Sequence, residues 1–181
     1  MADAFCDNYR FLARYNRWIN ERLYEACEAL TDEARKQERG AFFGSIHRTL
    51  GHVMVADQVW LRRFAQCGVD HAITFASLGP DVLDMPEAYT LDMVLFEDWA
   101  DLKAKRAQLD AAIEQWIAEM PDAYPQFTMR YANSKGVQRE HAAWKAITHF
   151  FNHQTHHRGQ ASTLVTQAGG TVGVTDLIAL V

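Results

Sequence analysis

Cysteine is scarce in this chain, and the little there is follows no metal or redox pattern. Three of the 181 residues are cysteine, Cys6, Cys27 and Cys67. The odd count and the lack of a CxxC pair exclude a disulfide framework and a thiolate metal site, so a reducing, cytoplasmic compartment is expected. No block of lysine and arginine occurs. A net charge of -5 and a pI near 5.9 exclude nucleic-acid binding as the main business. The start, MADAFCDNYR, carries no apolar signal core, and the longest uncharged run, Gly159 to Thr175, is too polar to span a membrane. Walker, GxGxxG, GxSxG and HExxH motifs are all missing. So is ExxH, which counts against the di-iron site typical of four-helix bundles.

What is present reads as an ordinary globular chain, 49% hydrophobic and 23% charged, long enough for a real core and expected to form a single domain over residues 1–181. From Asp3 to Leu30, Phe5, Tyr9, Leu12, Tyr15, Ile19 and Leu23 recur at helical spacing, with Arg10, Arg14, Arg17 and Arg22 on the opposite, solvated face. Thr31 can cap a short turn. Ser45 is a good N-cap for a second helix, expected to run to about Gln66 and stop at Cys67-Gly68. Val69 to Tyr89, with Gly79-Pro80 and Met85-Pro86, reads as a long irregular crossover of the kind that walls pockets. Thr90 is expected to cap a third long helix, Leu91 to Met120, ended by Pro121. Alternating Phe127, Met129 and Tyr131, then a turn at Asn133 to Gly136, predict a small β-hairpin. A last long helix, Ala142 to Gln167, and a short capped turn after Thr175-Asp176 complete an all-α four-helix bundle with a long crossover and a small β-hairpin before the last helix.

That last helix holds four of the eight histidines, His149, His153, His156 and His157, within nine residues. At about 100° per residue they fall within an arc of roughly 100°. Imidazoles one turn apart are a common way to offer two ligands to one transition metal. The competing reading is a polar helix face or pH-sensitive packing. Spacing alone does not choose between the pair His149 and His153 and the pair His153 and His157. His47 and His52, about 140° apart on the second helix, do not serve one site together.

HFFNHQTHHRGQ, at 149–160, closely resembles the C-terminal metal motif of the DinB/YfiT-like metalloenzyme family. FFGSIHRTLGHVMVADQVWLRRF, at 42–64, resembles the family's second helix, with its Ser, then Leu-x-His, then Asp-x-x-Trp-Leu. The hairpin and the terminal VTDLIALV fit as well, so the resemblance covers nearly the whole chain. It implies a four-helix bundle in which His52, His153 and His157 bind a divalent metal. His149 then lines the pocket beside them, and His156 meets another helix or a partner subunit. His47, His71 and His141 read as structural or solvent-exposed. Asp57 reads as an ion-pair partner, with Arg158 as the candidate. Arg158 is also placed to fix an anionic substrate group. Trp60 and Tyr131 are pocket or core aromatics, and Cys67 is an inert thiol.

Three histidine ligands leave a coordination position for water or substrate, the pattern of a catalytic site. Zinc suits three imidazoles best, with nickel, iron, manganese and copper also compatible. The expected function is a metal-dependent enzyme acting on a small molecule. It is either a hydrolase or, as the resemblance implies, a transferase or isomerase using a low-molecular-weight thiol. The alternatives are a non-catalytic metal-binding or stress-response bundle and a structural dimerisation bundle. A homodimer is expected from the resemblance.

Overall fold

The computed structural model describes residues 4–181; the expected helix start at Asp3 lies outside them. The first amphipathic stretch forms α1 (Ala4–Glu28), which buries Tyr9, Ile19 and Leu23 together with two asparagines, Asn16 and Asn20. Thr31 caps the short α2 (Asp32–Lys36), its side chain accepting from Ala34 N at 3.2 Å.

Ser45 caps α3 (Ile46–Asp70) as expected, accepting from Arg48 N at 3.2 Å. The helix does not stop at Gly68. A Cβ there would stand 2.8 Å from the Phe75 ring and 2.9 Å from the Ile73 carbonyl. Glycine is therefore required for close approach of the returning chain rather than for termination.

The crossover is tied down onto α3. Gln58 donates to the carbonyls of Val82 (3.2 Å) and Asp84 (2.8 Å), and Arg62 to those of Leu83 (2.7 Å) and Met85 (3.1 Å), around the single turn α4 (Pro80–Leu83).

The third long helix starts later than its apolar spacing predicts. It is α5 (Trp99–Glu119), and its N-cap is Asp98, whose carboxylate accepts from Ala100 N (2.8 Å) and Asp101 N (3.2 Å). Residues 91–98 run outside any helix, and Met93 and Leu95 pack on a small cluster of Val55, Val59 and Met85. Burying those side chains on α3 outweighs two more helical turns, which would lie mostly in water.

The hairpin forms as expected. Strand β1 (Thr128–Ala132) pairs antiparallel with β2 (Gln138–Ala142), with Tyr131 opposite Arg139. The Asn133 side chain closes the turn by accepting from Lys135 N (2.9 Å) and Val137 N (3.0 Å), and Gly136 takes the positive φ of 73°. The hairpin runs straight into α6 (Ala143–Gln167). A 3₁₀ turn (Leu177–Leu180) follows, with Asp176 at its N-cap position making no side-chain cap bond.

Helix α1 packs on α5 and α6, and α3 packs on α6. Side chains join α3 to α5 and complete the ring of four long helices. Phe64 stacks on Trp116 with ring centroids 4.7 Å apart, in a core that includes Leu50, Met54, Ile113 and Phe150.

A polar seam crosses this core. Arg106 Nη1 donates to Asp57 Oδ2 at 2.6 Å, and its Nη2 lies 2.9 Å from Asp110 Oδ1. Asn16 and Asn20 each donate to Asp110 Oδ1 at 2.9 Å, and Arg158 donates to the Oδ1 atoms of both asparagines. Every charge in the seam has an opposite charge or an amide beside it, which burial at this depth requires. Asp57 thus has an ion-pair partner, but it is Arg106 on α5 rather than Arg158. No helix among the described residues is long and apolar enough to cross a membrane.

Candidate metal centre

Two helices bring three imidazoles to one point. His52 faces α6 from the first half of α3, and His153 and His157 stand one turn apart on α6. The Nε2 atom of His153 is 3.3 Å from that of His52 and 3.1 Å from that of His157. Ligands about 2.0–2.1 Å from a tetrahedral zinc are separated by about 3.3–3.4 Å along each edge, so this spacing suits one ion.

The tautomers suit it too. His52 Nδ1 donates to the Leu91 carbonyl at 2.6 Å, and His157 Nδ1 donates to Gln160 Oε1 at 2.7 Å. With those protons committed, the Nε2 atoms of His52 and His157 are lone pairs, aimed at a third imidazole nitrogen that satisfies at most one of them. Convergent lone pairs of this kind suit a cation. The three residues form a group able to hold a metal ion.

Electrostatics keep the cluster neutral. Burial lowers the pKa of His52 and of His157 below the ordinary imidazole range. Burial together with the charges of His157, His52, His149 and His156 takes His153 down to about 3. Imidazoles held unprotonated at neutral pH meet a metal without first losing a proton. Phe43 covers one side, stacked on His52 at 4.0 Å and 20° and edge-on to His157 at 5.6 Å.

The other side opens into a pocket of about 280 Å³ reached by His52 and His153 and walled by Trp60, Arg63, Tyr131 and Arg139. His149 is in this wall, its ring 5.1 Å from Trp60 and 5.6 Å from His153, and it is not one of the convergent three. Its pKa is lowered by burial and by the Arg63 charge. Trp60 and Tyr131 line the pocket and also pack against the core.

The remaining residues singled out in the sequence lie elsewhere. Arg158 is buried in the polar seam, against α1, and its hydrogen-bond partners are Asn16, Asn20 and Thr155. It is not positioned to hold a substrate at the triad. His156 is exposed, edge-on to His157 and 3.3 Å from Gln160 Nε2. His47 is buried against the Phe96 carbonyl at 2.7 Å, His71 stacks on Phe127 at 4.2 Å, and His141 lies 3.1 Å from Tyr131 Oη. All three have structural work. Cys67 is buried and its pKa is raised by that burial, as an inert thiol requires.

Five contributors escaped the sequence reading: Phe43, Leu91, Gln160, Arg63 and Arg139. Gln160, three residues after His157, was the readable one, because a ligand histidine needs an acceptor for its second nitrogen. The Leu91 carbonyl has no side-chain signature at all.

Fold and site together define a mostly helical protein with a histidine triad able to hold a metal ion. The DinB family model matches residues 5–180, and the chain belongs to the DinB family. It is similar to Protein DinB of Bacillus subtilis (strain 168), 24% identical over 168 residues that cover 91% of this chain and 88% of that protein. No solved structure matches it significantly.

Proposed function

We propose that this protein is a divalent-metal-dependent enzyme acting on a small molecule. The observation that carries the reading is a triad with no fourth protein ligand beside a pocket. Among the described residues, no other histidine, cysteine or carboxylate joins the three convergent nitrogens, while the pocket reaches two of them. A closed structural or sequestering site would use a fourth side chain.

A metal held by His52, His153 and His157 supplies Lewis acidity and acidifies the group it binds, whether water in a hydrolase or a thiol in a transferase. Zinc is the favoured ion for three imidazoles, with nickel, iron, manganese and copper as the alternatives. The chain's own residues do the rest. Leu91 and Gln160 hold two ligand tautomers, Phe43 keeps water from one face, and His149 offers a neutral imidazole nitrogen in the pocket wall to take up a proton. A low-molecular-weight thiol cosubstrate and a homodimeric state belong to the same proposal and rest on family resemblance; a cytoplasmic location belongs to it too and rests on the cysteine usage.

The test is metal analysis of the purified protein, followed by a thiol-conjugation assay with electrophilic substrates and several biological thiols. Product that requires both metal and thiol decides for the transferase branch, and metal-dependent product without thiol decides for the hydrolase. Metal content unchanged in His153→Ala would sink the site itself.

A further inference from the structure

The pocket beside the triad has a charge that the rest of the chain does not. The chain carries a net -5, yet the pocket wall contains Arg63 and Arg139 and no aspartate or glutamate. Neither arginine forms an ion pair among the described residues. An uncompensated arginine pair in a concave, half-apolar wall is the usual receptor for a carboxylate or phosphate.

Arg63 is fixed in advance. Its guanidinium lies 4.7 Å from the Trp60 ring and 4.6 Å from the Tyr131 ring, and one nitrogen donates to the Ala132 carbonyl at 3.1 Å. The two ring centroids are 5.3 Å apart, so both rings pack to one side of the guanidinium, and its remaining donors are without a protein partner among the described residues. The half-buried position lowers its pKa, and only the tyrosines Tyr89 and Tyr131 act in the other direction, so no carboxylate offsets its charge. Arg139 stands on β2 directly across from Tyr131, on the exposed rim of the same wall.

Arg63 follows His52 by eleven residues on α3, about 16 Å along the axis. Between the two ends come Trp60 and His149, whose rings adjoin one another and lead to His153.

From this geometry we infer that the pocket takes a small oxyanion. Arg63 and Arg139 bind the carboxylate or phosphate group at the end of the substrate far from the triad, and Trp60 and Tyr131 bind an apolar or aromatic middle. The inference rests on the reading of the triad as a catalytic centre, and gives that reading its substrate class. A volume of about 280 Å³ limits the occupant to a small molecule. Anchoring the distal anion presents the other end of the molecule to the histidines, which is how remote binding energy is used for positioning.

Calorimetric titration of the full chain, metal-free and zinc-loaded, tests it with benzoate, phenyl phosphate, neutral benzamide and cationic benzylamine. Both anions should bind the metal-free protein saturably, with benzamide at least about tenfold weaker and benzylamine not bound. The stronger of the two anions identifies the oxyanion. Arg63→Gln should weaken that anion about tenfold, Arg139→Gln less because its charge is solvated, and Arg63→Lys partially. Equal binding of benzoate and benzamide by the unaltered protein overturns the inference without any variant, as does no saturable binding of either anion in the millimolar range. Metal content measured beside each titration separates the two claims. Anion binding by protein that takes up no zinc upholds the pocket and sinks the metalloenzyme. Stoichiometric zinc without anion binding sinks the pocket alone.

Discussion

Gln160 Oε1 lies 2.7 Å from His157 Nδ1, one helical turn further along α6. The amide fixes the proton on Nδ1 and so reserves Nε2 for a metal. Gln160→Leu keeps the helix and removes the acceptor. Zinc affinity should fall about 10- to 100-fold, read by competition with a chelator of known affinity. An unchanged affinity would mean that the tautomer is held by something other than Gln160.

Phe43 acts on His52 from outside both helices that carry the triad. Its ring covers the imidazole at 4.0 Å, and burial is the main cause of the low His52 pKa. In metal-free Phe43→Ala, NMR titration should move His52 up towards an ordinary value of about 6.5. Zinc should also pass to a chelator faster. If His52 titrates as before, Phe43 is a bystander.

Acid should weaken the metal-free protein through its triad. The folded-state pKa of His153 is about 3, well below the unfolded imidazole value of about 6.5. Below that upper value the unfolded chain binds more protons. The stability contribution is therefore complete above about pH 6.5 and is lost as the pH falls towards 3. His52 and His157 are shifted in the same direction. Urea unfolding from about pH 7 to 4 should show this loss, and His153→Leu should reduce it. Parallel profiles for the two proteins would contradict the shift.

Asp57 and Arg106 form a buried pair with 1% and 4% of their side chains exposed. Asp57→Ala leaves the guanidinium with less compensation and should cost about 3–5 kcal/mol, measured by urea denaturation. Zinc stoichiometry should not change, because the pair lies in the core between α3 and α5 and is not part of the triad. A loss of zinc with full stability would place Asp57 at the metal instead.

Asp98 and Thr90 compete as start signals for α5. Asp98→Ala should cost about 1 kcal/mol. Thr90→Ala should stay within about 0.5 kcal/mol, since residues 91–98 are not helical. Thermal unfolding compares the two directly, and a larger loss at Thr90 would restore the earlier start.

The difference at α5 shows where sequence reading stops. Leu91, Val94 and Leu95 keep helical spacing, but their chain lies beside α3, and one carbonyl among them orients a candidate metal ligand. Local periodicity does not register that choice, because the deciding contacts are about forty residues away. The hairpin was legible because alternation and a turn at Asn133 to Gly136 are local signals. The histidine stripe was legible as a stripe, yet its pairing needed His52, which belongs to another helix. The partner of Asp57 was misassigned for the same reason. Arg106 sits on α5 among charged residues that look solvated, and only the ring of helices turns it inward.

Helix α6 carries two polar pairs one residue out of step: His153 with His157, and Gln154 with Arg158. The first pair meets His52, and the second is buried, with Arg158 held by the asparagines of α1. An axial slip of one residue turns the helix by about 100°. In one direction it would carry the guanidinium towards the triad, in the other the histidines into the interior, and either way both sets of partners are lost. The asparagines of α1 therefore act as an azimuthal lock for the candidate metal ligands, and insertions into α6 upstream of His153 should be tolerated far less well than insertions after Gln160.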